Sequence, residues 1–255
     1  MKITSFVLRN KFRFLFYGFI ALVSCYAVFI EPNWVATRHI KLSAHPTVRL
    51  VHISDIHYHG EKRRLQRVVD EINRLAPDLV CFTGDLVDKK EMAPEALSIL
   101  TQIRCPVFGV PGNHEYWSGI AADDLARAFE KTGGAFLADQ RLVFNNLEII
   151  GTAGEAYKPV PRGKAARKSL LLAHYPALAK TLGAEKFGLI LAGHSHGGQV
   201  RLPWLGALTL PYAVDGLDRG LYQTPSGTLY VTPGLGTYGI PVRFFCRPEI
   251  AQIEF

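Results

Sequence analysis

Five short polar clusters punctuate the chain. They are Asp55-x-His57, Gly84-Asp85-x-x-Asp88, Gly112-Asn113-His114-Glu115, the lone His174, and Gly193-His194-Ser195-His196-Gly197-Gly198. Their donors are carboxylates, imidazoles and one carboxamide, with no thiolate among them. Such a set suits divalent cations of hard to borderline character, Mn²⁺ first, with Fe, Zn²⁺ and Mg²⁺ as alternatives. Two ions need roughly seven or eight protein ligands with one carboxylate shared, and these clusters supply that number. Asp85 is the natural bridge, because one carboxylate can offer an oxygen to each ion. A pair of ions ~3.5–4 Å apart can hold a hydroxide between them and grip the non-bridging oxygens of a phosphate. The chemistry expected is hydrolysis of a phosphate ester or anhydride.

Other candidates read more plainly. His39, His45, His52 and His59 have no neighbour at ligand spacing and are expected to be structural. Asp88 is expected to cap or brace its loop. Cys25, Cys81, Cys105 and Cys246 form no pair with metal or redox spacing, so free thiols are expected and the redox compartment stays open.

The elements that must position these clusters follow from periodicity. Buried strands are expected over 48–54, 79–83 and 107–110, each running into one of the first three clusters. Helices are expected over 63–75, with Leu65, Val68, Val69, Ile72 and Leu75 on one face, over 94–103 and over 123–131. The second half is richer in strands, over 142–144, 147–152, 169–173, 189–192, 228–231 and 250–255. His174 and the glycine-rich cluster at 193–198 follow two of these. Polar groups at the ends of strands are where an α/β sheet builds a site. The basic, proline-containing stretch 157–168 is expected to be a loop. The alternation predicts an α/β fold of two packed sheets with helices outside.

Together the clusters resemble the calcineurin-like metallophosphoesterases. The pattern D-x-H, G-D-x-x-D, G-N-H-[DE], H, G-H-x-H is complete and in order, and the resemblance covers residues 48–255. It implies a four-layer α/β/β/α sandwich. It also implies that Asp55, His57, Asp85 and His196 hold one metal and Asp85, Asn113, His174 and His194 the other. His114 would be a catalytic histidine near the leaving group and not a ligand. Glu31-Pro32-x-Trp34, the run from Gly193 to Pro203 and the ending Cys246-Arg247-Pro248-Glu249-Ile250 are similar to a bacterial membrane-anchored branch. That branch includes a UDP-2,3-diacylglucosamine pyrophosphatase of lipid A synthesis. An enzyme is expected. The competing readings are a general small-molecule phosphodiesterase, a protein phosphatase and a non-catalytic metal-binding scaffold.

The N-terminus differs from the rest. Residues 14–30 carry no charge, close to the ~17-residue lower limit for crossing a bilayer core. Lys2, Arg9, Lys11 and Arg13 precede the run, and Glu31, Pro32 and Trp34 follow it. The expectation is an N-terminal anchor helix, single-pass or interfacial, in a bacterial inner membrane, with residues 1–45 as anchor and linker and 46–255 as the metallophosphoesterase domain. A cleaved signal or lipidation at Cys25 are the alternatives. The charge asymmetry puts the domain outside the cytoplasm, whereas a nucleotide–lipid is made inside, so the side stays open. The net charge of +7 comes without long basic runs or regular aromatics, so the expected partners are a membrane and a phosphate-containing, lipid-linked substrate. Neither nucleic acid nor an obligate protein partner is expected. The apolar, proline-broken stretch 202–214 is expected to be a buried hairpin of the second sheet or to line an acyl groove and dip into the bilayer.

Overall fold

The computed structural model describes residues 2–153, 168–183 and 185–255, with residues 2–11 known by their backbone alone. The basic stretch 157–168 therefore lies outside the described residues except for Lys168.

The chain opens with α1 (Lys2–Cys25), which continues through a π-turn at Tyr26–Ile30 and a 3₁₀ turn at Glu31–Asn33. Within it, Phe12–Asn33 is long and apolar enough to cross a membrane. Then follow β1 (Ala36–Lys41), β2 (Arg49–Ile53), α2 (Lys62–Leu75), β3 (Leu79–Phe82), α3 (Ala93–Leu100), β4 (Val107–Gly109), α4 (Asn113–Ser118), α5 (Ala122–Glu130) and β5 (Ala135–Phe136). The second half contributes β6 (Gln140–Phe144), β7 (Leu147–Gly151), β8 (Ser169–Leu172), β9 (Leu189–Ala192), a small pair β10 (Arg201–Leu202) and β11 (Gly206–Ala207), then β12 (Gly220–Thr224), β13 (Gly227–Val231) and β14 (Glu249–Glu254).

Two six-stranded sheets result, in the orders β1-β14-β2-β3-β4-β5 and β12-β13-β9-β8-β7-β6. Their central strands, such as β3, β8 and β9, read as continuous apolar runs because both faces are covered, and side chains alternate between the two covers. Leu50, Leu79, Cys81 and Phe108 of the first sheet meet Leu170, Leu172, Leu189 and Leu191 of the second. On the outer face of the first sheet, Val51, Ile53, Val80 and Phe82 pack against α2, α3 and α5. On the outer face of the second, Leu171 and Ile190 pack against Leu178 and Ala179 of a 3₁₀ turn, Pro176–Lys180. This is the expected sandwich of two sheets, with a fourth layer that is thin among the described residues.

Sheet pairing starts earlier than the boundary expected at residue 46. β1 pairs in parallel with β14, from Ala36 opposite Glu249 to Lys41 opposite Glu254. The turn before it is docked as well. Glu31 is fully buried, and its carboxylate accepts the backbone N–H groups of Phe245, at 3.0 Å, and Cys246. Arg243 N donates to the carbonyl of Ala27 at 2.9 Å. Stretch 202–214 is not a buried hairpin of the second sheet. It makes the separate pair β10–β11, with Trp204, Leu205 and Leu208 exposed.

Candidate metal centre

The C-terminal ends of β2, β3, β8 and β9 and the N-terminus of α4 converge on one point between the sheets, and each brings one of the five clusters. The loops that carry them turn abruptly. Asp55, His57, Asp85, His194 and His196 all have positive φ, a conformation that side chains with a Cβ adopt only when the surroundings enforce it. Crowding provides that enforcement. A Cβ on Gly112 would stand 2.2 Å from Asp85 Oδ1, and one on Gly193 would stand 2.4 Å from Asp55 Oδ2. Glycine at these two positions lets backbone close on carboxylate.

The candidate ligands fall into two sets. Ligand atoms of Asp55, His57 and His196 lie within 4.8 Å of one another, and so do those of Asp85, His174 and His194. Asp85 joins the sets, because its Oδ2 is 3.6 Å from His57 Nε2 and 3.3 Å from His174 Nε2. Asn113 belongs to the second, with Oδ1 3.0 Å from His174 Nε2. His196 Nε2 is 3.6 Å from Asp55 Oδ1. All seven residues are buried.

Three of the four imidazoles, those of His57, His174 and His194, are tied from behind so that the other nitrogen faces the centre. His174 Nδ1 donates to the carbonyl of Thr83 at 2.7 Å, and His194 Nε2 donates to that of Tyr212 at 2.9 Å. His57 Nδ1 is 2.6 Å from Asp88 Oδ1. These bonds fix tautomers and leave lone pairs pointing inward, as metal-bound histidines require. The inward Nε2 of His57 is under-satisfied, with no hydrogen-bond partner among the described residues. His174 Nε2 and His194 Nδ1 sit 3.1 Å apart, so two neutral rings would oppose lone pairs there. Burial disfavours a charge on His174, yet Asp85 and Asp55 outweigh it and push its pKa up to about 9. Burial and the positive His174 push that of His194 down to about 3. A cluster of acceptors that draws a proton into a buried site fits a cation site.

His114 belongs to neither set. Its backbone N–H donates to Asp85 Oδ1 at 2.8 Å, and its Nδ1 is 2.8 Å from Asp88 Oδ1. Asp88 was expected to brace a loop. It instead links three histidines, since its Oδ2 also lies 3.0 Å from His59 Nε2. Burial opposes ionisation of Asp88, but its hydrogen bonds to His114 and His57 hold it well below the usual carboxylate range. Glu115 is a second residue whose role went unread. Its buried carboxylate accepts the N–H groups of Gly112, Asp85 and Leu86 at 2.6, 2.8 and 2.7 Å, which locks two of the site loops together. Spacing gave a hint of it, because a glutamate three residues after Gly112 can reach back to the N-cap N–H, the glutamate half of a capping box. His39 and His45 are exposed, away from the site. His52 bonds Thr83 Oγ1 at 2.9 Å in the core, and burial keeps it neutral with a pKa of about 3.

A cavity of about 400 Å³ opens above the centre, lined by Asp85, His114, His194 and His196 on its floor and by Trp117, Gln199, Leu210, Tyr212 and Tyr238 around its mouth.

Residues 48–198 match the calcineurin-like phosphoesterase family. The chain belongs to that family and is a dinuclear metallophosphoesterase. It is similar to the uncharacterized metallophosphoesterase YkuE of Bacillus subtilis, with 30% identity over 251 residues, 88% of this chain and 87% of that one. It is similar to phosphodiesterase YaeI of Escherichia coli, with 31% identity over 90% of this chain and 91% of that one. UDP-2,3-diacylglucosamine pyrophosphatase LpxG of Chlamydia trachomatis is 27% identical over 88% of this chain and 90% of its own length.

Proposed function

We propose that this metallophosphoesterase hydrolyses a phosphodiester or pyrophosphate bond in a lipid-linked substrate at the inner membrane of a bacterium. In this reading Asp55, His57, Asp85 and His196 hold one divalent cation, and Asp85, Asn113, His174 and His194 hold the other. The observation that carries it is the inward turn of four buried imidazoles around a shared carboxylate. Mn²⁺ is the favoured ion, because the donors are oxygens and imidazoles without thiolate.

When bound, a pair of divalent cations supplies positive charge that polarises the phosphoryl group and favours deprotonation of the attacking water. The side chains do the rest. Asp85 holds the two halves of the site at a fixed spacing. Asn113 contributes a neutral oxygen, which leaves more of the cations' positive charge uncompensated and so favours an anionic substrate. His114, with Nδ1 tied to Asp88, presents Nε2 towards the cavity and holds a proton for the departing oxygen. Trp117, Tyr212 and Tyr238 flank the mouth and exclude water from one side of the substrate.

The lipid-linked substrate is supported by the apolar helix at the N-terminus, which raises the effective concentration of membrane substrates only. The likeness to LpxG points to a nucleotide-linked diacylglucosamine, and the likeness to YaeI to a phosphodiester. The test compares UDP-2,3-diacylglucosamine in mixed micelles with a soluble nucleotide-sugar diphosphate of the same headgroup. Release of UMP from the lipid, with kcat/KM at least about tenfold above the soluble compound, is expected. Equal efficiency, or no UMP from the lipid, leaves a general phosphodiesterase in its place.

A further inference from the structure

Trp204 stands at the tip of the β10–β11 hairpin with its whole side chain in solvent, and Leu205 beside it is 77% exposed. Large apolar side chains are seldom displayed this way without a partner, and a contiguous exposed patch marks an interaction surface. Here the display continues. Leu208 follows on the same hairpin, and Ile240 and Phe245 are exposed on the neighbouring segment 238–245.

That segment joins the hairpin to the foot of the apolar helix. Phe244 forms an isolated parallel bridge with Val200, accepts the N–H of Arg201 at 2.8 Å and donates to Gln199 at 2.9 Å. Its ring meets Tyr26 edge-on at 6.3 Å, and the next residues are held by Glu31. On the other side the same segment borders the cavity mouth. Tyr238 N donates to Gln199 Oε1 at 2.6 Å, and both residues line the cavity. Helix foot, apolar hairpin and mouth are therefore fastened to one another through backbone and side-chain contacts. Two cations flank the patch. Arg219 donates to the carbonyl of Phe245 at 3.2 Å, and the Arg247 guanidinium lies 3.9 Å from the centre of the Trp34 ring. An apolar surface edged by guanidinium groups and an interfacial tryptophan matches the polarity profile of an anionic lipid surface.

We propose that the β10–β11 tip and the segment 238–245 form a bilayer-docking surface, continuous with the foot of the apolar helix, that holds the mouth of the catalytic cavity against the membrane. The occupant is an anionic phospholipid surface, because a helix able to span a bilayer leaves the protein at this same face. Arrival of a lipid-linked substrate at the mouth rests on the hydrolase reading above; the docking does not.

The experiment uses the full chain in vesicles of phosphatidylethanolamine and phosphatidylglycerol, with and without brominated acyl chains. Trp34→Phe and Trp117→Phe leave Trp204 as the sole tryptophan reporter. A second chain, which adds Trp204→Phe and Phe245→Trp, reports from the neighbouring segment. Both emissions should be blue-shifted and quenched at least about twofold by the brominated lipid, as for indoles at the membrane interface. Water-exposed, unquenched emission from Trp204 overturns the proposal. Blue-shifted but unquenched emission does so too, and assigns the face to a second copy of the chain. Neither result depends on turnover, so failure of the hydrolase reading would appear separately, as an inactive wild-type chain alongside reporter chains whose tryptophan is still quenched.

Discussion

His114 and Asp88 show how much chemistry one carboxylate can organise. Asp88 Oδ1 lies 2.6 Å from the ring of a candidate ligand, His57, and 2.8 Å from that of His114, so a single oxygen orients the imidazoles proposed to bind metal and to hold the proton. In the proposed role, His114→Ala removes only the proton donor. Turnover of a chromogenic phosphodiester is then expected to fall by about 10²–10⁴, with both metals retained in the purified protein. Loss of an ion would make His114 a ligand. Asp88→Asn should act on both rings at once, lowering the rate by at least about tenfold and also weakening metal affinity, since removing a ligand's hydrogen-bond partner commonly costs about 10–100-fold. Titration of the metal-free variant with Mn²⁺ checks this. An unchanged affinity would confine Asp88 to His114.

Among the elements, the convergence of the candidate ligand clusters was legible and part of the frame that holds them was not. Ligand clusters announce themselves because a strand end, a glycine and a donor must occur within a few residues of one another, as Gly84-Asp85 and Gly193-His194 do. The central strands are equally plain, since residues such as Leu79 to Phe82 are buried on both faces of a sheet. β1 could not be read this way. Its sequence, Ala-Thr-Arg-His-Ile-Lys, lies at a sheet edge with one buried side chain, and its partner β14 is some two hundred residues away. The β10–β11 hairpin was misjudged for a related reason. Apolar content suggests burial, but nothing local says whether a core or a lipid surface does the burying. Asp88 and Glu115 escaped because their partners, His114 in one case and Asp85 and Leu86 in the other, come together only in the folded chain. The contacts of β1 and Glu31 give a prediction at this scale. A chain starting at Tyr26 is expected to fold in mild detergent and to cleave small soluble phosphodiesters. A chain starting at residue 46 should aggregate or melt about 10 °C lower or more, because it loses an edge strand and the acceptor for the N–H groups of Phe245 and the buried Cys246. Thermal unfolding of the two truncations, followed side by side, decides. Equal melting temperatures would show that the folded unit does begin at residue 46.

For the whole molecule, the two sheets act as a clamp whose closed end is packed with leucine and isoleucine and whose open end carries the donors. Helix foot, hairpin and cavity mouth share one face of this clamp, and in the proposed function that face would restrict a chemically general centre to substrates at the membrane surface. The central claim is that Asp85 joins two cation sites into one reaction centre. Elemental analysis of the purified protein, alongside hydrolysis of a chromogenic phosphodiester, tests it most directly. The wild type should carry two divalent ions per chain, lose all activity with EDTA and regain it only as two equivalents of Mn²⁺ return, while Asp85→Ala should hold neither ion firmly and stay inactive at any Mn²⁺ concentration. Full activity in the chelated enzyme, or in Asp85→Ala, would contradict the account.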